Sequence, residues 1–106
     1  LKQKEIIENA FDVLGFKIIY WNDKPNANGV DCVVQKGSNK PLSVEVKKLK
    51  INNKTNALSV EAIHGERRND DLIAIIINKN YVLIEPMSQH LKSCSIKGFR
   101  PMTAYK

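Results

Sequence analysis

Two short runs separated by a polar turn, "VDCVVQK" (30–36) and "PLSVEVKKL" (41–49), constrain the fold more than any other part of the chain. Both are rich in valine and alternate in character, as half-buried strands do. The intervening "GSN" is short and suits a hairpin loop. Centring the hairpin on Ser38 sets its register: Val34 faces Leu42, Cys32 faces Val44, and Val30 faces Val46. Successive side chains point to opposite faces of a strand, so these pairs build one apolar face. The same register puts Asp31 opposite Glu45 on the other face, with Lys47 two residues further on.

The remaining segments fill in a sheet with helices. Residues 2–14 predict a helix, because Ile6, Ile7, Ala10, Phe11 and Leu14 recur at helical spacing and Gly15 offers a stop. "FKIIYW" (16–21) predicts a strand, and "NDKPNANG" (22–29) is turn chemistry throughout. "KINNKTN" (50–56) reads as a polar loop. "ALSVEAI" (57–63) fits either a strand or a short helix, with Ser, Val and Ile favouring the strand. "HGERRNDD" (64–71) reads as a loop or a frayed helix end. "LIAIIIN" (72–78) is apolar almost without interruption, as expected of a central strand covered on both faces. "YVLIEPM" (81–87) returns as a strand, "MSQHLKSC" (87–94) predicts a short helix with Ser88 as its cap, and 96–106 an extended tail. The class is therefore α/β or α+β, a mixed sheet of about five strands flanked by helices, and 106 residues suit a single domain. A start at Leu1 rather than Met fits a fragment of a longer protein or a trimmed N-terminus.

Charge narrows the partners. Seventeen Lys and Arg against eleven Asp and Glu give +6, which favours a polyanion, since such residues displace counterions from phosphates. No run approaches a membrane span and no signal peptide is visible. The two cysteines, Cys32 and Cys94, form no CxxC or Cys/His cluster, so an intracellular, cytoplasmic setting is expected.

The charged face of the hairpin carries the chemistry. Two carboxylates held side by side repel, and a divalent cation removes that repulsion. Mg²⁺ takes carboxylate oxygens, keeps several waters and accepts phosphate as a further ligand. Lys47, about 7 Å along the strand from Glu45, suits contact with a phosphate or an attacking water. The same residues also fit a one-sided antiparallel strand whose charges simply face water.

"GVDCVV…LSVEVKK" resembles the core of the PD-(D/E)XK nuclease superfamily, which includes many restriction endonucleases and the archaeal Holliday-junction resolvases. In that motif an Asp opens one strand and Glu-x-Lys lies on the next; here these are Asp31, Glu45 and Lys47. "KEIIENAFDVLGFKIIYW" is similar to the resolvase-like helix that carries a Glu and ends in Gly before a strand. The resemblance covers residues 4–49 well and 71–92 loosely. It implies a restriction-endonuclease-like core and Mg²⁺- or Mn²⁺-dependent hydrolysis of DNA phosphodiesters. Asp31 and Glu45 would hold the metal, Lys47 would assist the water or the scissile phosphate, and Glu5 or Glu8 would be the helix acid, with distance to Gly15 favouring Glu5. Val30 stands where the family's name has Pro, and no clear helix follows the lysine strand.

Lys48, Lys50, Arg67 and Arg68 are candidate contacts to a nucleic-acid backbone. For the arginines the competing reading is local pairing with Glu66, Asp70 or Asp71. His64 and His90 pair with no Cys or acid at metal spacing. No nucleotide-binding glycine loop and no nucleophile elbow occurs. The expected function is a metal-dependent endonuclease acting on duplex or branched DNA, with a second copy or an attached domain supplying specificity. The alternatives are a non-catalytic nucleic-acid-binding module of the same fold and an assembly domain.

Overall fold

The apolar run at 72–78 forms strand β6 (Leu72–Asn78), and its neighbours explain why it is apolar on both faces. Ala74 and Ile76 enter one hydrophobic cluster, while Ile73 and Ile75 enter a second on the opposite side. β6 lies between β3 (Leu42–Lys48), to which it runs parallel, and β7 (Tyr81–Pro86), to which it is antiparallel. With β1 (Lys17–Trp21) and β2 (Cys32–Gln35) these make a five-stranded mixed sheet of order β1-β2-β3-β6-β7. The computed structural model describes residues 2–24 and 29–93, and the backbone of Arg100–Pro101. Most of the expected tail at 96–106 and part of the turn at 22–29 lie outside the described residues.

Helix α1 (Gln3–Val13) covers one face. Ile7 and Phe11 are wholly buried there against Cys32, Val34, Val44, Ala74 and Ile76. Its C-terminus closes as a Schellman turn. Gly15 donates its N–H to the Asp12 carbonyl and Phe16 its N–H to the Phe11 carbonyl. The rings of Phe11 and Phe16 then meet edge to face, with centroids 5.8 Å apart. Gly15 takes φ +85°, so the predicted stop has a conformational cause.

The segment joining β3 to β6 packs on the other face. It holds β4 (Lys50–Ile51), β5 (Leu58–Val60) and a 3₁₀ turn (Gly65–Asn69). β5 pairs with β4 and with β8 (Arg100–Pro101) in a separate three-stranded sheet. The polar loop expected at 50–56 is thus partly strand, and the ambiguous 57–63 segment is strand at Leu58–Val60 alone. Helix α2 (Met87–Lys92) completes this layer through Met87. Its N-cap is Pro86, not Ser88, and no side chain caps it. Among the described residues no helix is long and apolar enough to cross a membrane.

Candidate functional site

The hairpin register is as expected where the strands pair: Cys32 faces Val44 and Val34 faces Leu42. The third expected pair, Val30 with Val46, does not form. Asp31 instead turns its carboxylate to the strand, and Oδ2 accepts the Val46 N–H at 2.8 Å. Its own carbonyl accepts the Asn22 N–H at 2.9 Å, which ties it to the end of β1. β2 therefore begins two residues later than expected, at Cys32, and Asp31 sits at its mouth as a side-chain extension of the ladder.

Glu45 points to the face away from α1, beside Ile73 of β6 in the parallel register. It is only 7% exposed. Its carboxyl is placed to hydrogen-bond that of Asp31, so a proton on Glu45 would be held between the two acids. Burial, then the hydrogen bond and charge of Asp31, push the Glu45 carboxyl up to about 8. Lys47 pulls in the opposite direction, and Asp70 adds to the rise. Lys47 also acts on exposed Glu61, whose carboxyl is lowered first by its hydrogen bond to Lys50 and then by Lys47.

An open cleft of about 530 Å³ lies over the pair, lined by Gly29, Asp31, Glu45 and the 64–67 segment. That volume falls in the range of pockets that hold small ligands. The 3₁₀ turn makes its second wall and brings in His64, Glu66 and Arg67. His64 therefore belongs to the cleft, although its sequence setting gave it no role. The turn also carries Asp70, 6% exposed, whose Oδ1 lies 3.3 Å from Arg67 Nη1. Burial raises the Asp70 carboxyl, Arg67 opposes that, and the charges of Asp31 and Asp71 add to it. In "NDD" Asp70 and Asp71 look alike; only packing separates the buried one from the exposed one.

The other sequence candidates lie elsewhere. Glu5 and Glu8 are exposed on α1, and neither lines the cleft. Ile7 and Phe11 hold that helix on the opposite sheet face, and Glu5 is turned away from their stripe. Lys48 is exposed at the end of β3. Lys50 lies beyond β3, in β4, and is paired with Glu61 at 2.8 Å. Arg67 pairs locally, with Asp70 and, at 4.0 Å, with Glu66. Arg68 is exposed and donates to the Ile63 carbonyl at 3.4 Å. His90 is buried and its Nδ1 is 3.0 Å from Glu85 Oε1, a partner contributed by the preceding strand. The Cys32 thiol is pushed up to about 12 by burial and by Asp31, Asp70 and Glu45, which suits packing and not nucleophilic attack.

Asp31 and Glu45 suit a hard divalent cation. Among the described residues no group of three or more His, Cys, Asp or Glu is arranged to hold a metal ion. Mg²⁺ needs only one or two protein carboxylates when water and phosphate complete its shell. A cation entering between the acids would take the place of their shared proton. No family model, curated protein or solved structure matches the chain.

Proposed function

We propose that the chain is a metal-dependent endonuclease that hydrolyses DNA phosphodiesters, with a restriction-endonuclease-like core of the PD-(D/E)XK type. One observation carries the reading: the carboxyls of Asp31 and Glu45 are in contact on the wall of an open cleft. Lys47 follows Glu45 on the same strand face, which agrees with the Glu-x-Lys spacing. The +6 charge supports a polyanionic substrate.

Asp31 and Glu45 would hold Mg²⁺ or Mn²⁺. When bound, the cation would lower the pKa of a coordinated water and offset charge on the scissile phosphate. Glu45 would have to give up its proton for the pair to serve as ligand, so binding would be favoured by rising pH. Asp31 is oriented by the Val46 N–H, which fixes one oxygen on the strand. Lys47, on the same strand face as Glu45, would orient either the attacking water or a phosphate oxygen. Lys48, Lys50, Arg67 and Arg68 are assigned to the nucleic-acid backbone, and a second copy or an attached domain to substrate choice. Glu5 has no step here, because α1 packs on the sheet face opposite Glu45.

The alternative is a nucleic-acid-binding module without catalysis, favoured by the +6 charge, which serves binding with or without a metal. Incubation with single-stranded, duplex and branched DNA separates the two. The nuclease cuts at least one of them with Mg²⁺ or Mn²⁺ and stops in EDTA. The module binds with salt-sensitive affinity and cuts none.

A further inference from the structure

The cleft has one acidic wall, Asp31 and Glu45, and a second wall with Arg67 on it. What sets Arg67 there is not exposed charge but a buried acid. In a 3₁₀ turn residues three apart lie one above the other, so Arg67 and Asp70 are stacked by the backbone itself. The Asp70 N–H closes the turn on the Arg67 carbonyl at 3.1 Å. The Asp70 carboxylate then reaches Arg67 Nη1 at 3.3 Å from a site that is almost closed to solvent.

The end of the turn is fixed relative to Glu45. Asp71 accepts the Ser43 N–H on Oδ2 at 2.9 Å and gives its own N–H to Ser43 Oγ at 3.0 Å. Ser43 precedes Glu45 by two residues on β3, so this clamp ties the base of the turn to the strand that carries the acid. The competing partner, Glu66, is almost fully exposed and 4.0 Å from Nη2. It is the weaker restraint, since solvent screens such pairs.

We propose that Asp70 is a positioning residue for Arg67: their ion pair fixes the guanidinium on the turn wall of the cleft, where its remaining donors take a non-bridging oxygen of a phosphodiester. This rests on the reading that the cleft accepts a nucleic-acid backbone. Arg suits the task because one edge of its planar fork can stay on Asp70 while the other is offered to phosphate. Lysine, a point charge, cannot do both.

The test is duplex-DNA binding by fluorescence anisotropy in EDTA, over a salt series, for wild type, Arg67→Ala, Asp70→Asn and the double variant. Arg67→Ala should weaken binding by about tenfold and reduce the salt slope by about one. Asp70→Asn should weaken binding several-fold in wild type and not at all in the Arg67→Ala background. Charge alone predicts the opposite sign, because loss of a carboxylate beside DNA tightens binding. Tighter binding by Asp70→Asn, or equal weakening in both backgrounds, overturns the proposal. If Asp70→Asn does not fold, Arg67→Lys replaces it: the salt slope should hold while affinity falls, and unchanged affinity overturns the proposal. Shifts in binding without any Mg²⁺-dependent cutting overturn the nuclease reading and leave this one standing. Cutting with Arg67→Ala indistinguishable from wild type in binding overturns this one alone.

Discussion

Glu45→Gln isolates the proton on the acid pair. Burial and Asp31 raise this carboxyl from 4.5 to about 8, so the folded protein holds the proton more tightly than the unfolded chain does. The stability it contributes is fully present below about pH 4.5 and is lost as pH rises through about 8. At 1.36 kcal/mol per unit, a rise of that size corresponds to roughly 5 kcal/mol as a ceiling. The open cleft lets water screen the pair, which brings the expected effect to about 2–4 kcal/mol. Glutamine keeps the size and a hydrogen-bond donor toward Asp31 but never ionises. The assay is urea unfolding of both proteins in EDTA at pH 5, 7 and 9. The variant should match wild type at pH 5 within about 1 kcal/mol and exceed it by about 2–4 kcal/mol at pH 9. A difference that stays constant from pH 5 to pH 9 would refute the shared proton, because Glu45 would then be charged throughout.

Mg²⁺ should raise the wild-type melting temperature more at pH 8.5 than at pH 6, since the cation competes with that proton, and Glu45→Gln should abolish the difference. Lys47→Ala should lower DNA cutting by about 10²-fold or more while DNA affinity in EDTA changes by only about threefold or less; parallel losses in both would make Lys47 a binding residue. Gly15→Ala should cost about 1–2 kcal/mol, read as a lower melting temperature. The φ of +85° is the cause, and a new Cβ would also meet Lys36 Cε at 3.2 Å. An unchanged midpoint would mean that the α1 C-terminus is free to rearrange.

Much of the sheet was legible because strand alternation leaves little choice. A one-residue slip would put Cys32 and Val34 on the face opposite Leu42 and Val44, so alternation together with the short turn pins the register. The Val30–Val46 pair failed because a side chain, Asp31, outcompeted the backbone for the Val46 N–H, and alternation is blind to that exchange. The 50–71 segment was unreadable for a different reason. Leu58, Val60 and Ala62 satisfy both periodicities, and it is Val60 and the following Ile63 that pack on Ile73 and Ile75 of the later strand β6. The pairing of Arg67 with Asp70 is among those the sequence offers, but that Asp70 and not Asp71 is the buried acid comes from where the turn docks. His90 has no acid at metal spacing in the sequence, yet Glu85 meets it from five residues upstream across a strand-to-helix junction. Periodicity within one element does not reach across such a corner.

The most direct measurement is calorimetric titration of Mn²⁺ at pH 7 in two buffers of different ionisation enthalpy, for wild type and Glu45→Gln. If a cation replaces the proton shared by Asp31 and Glu45, wild type releases close to one proton per cation bound, and the variant shows neither the binding nor the release. Equal Mn²⁺ affinity in both proteins, or binding by wild type without proton release, would contradict it.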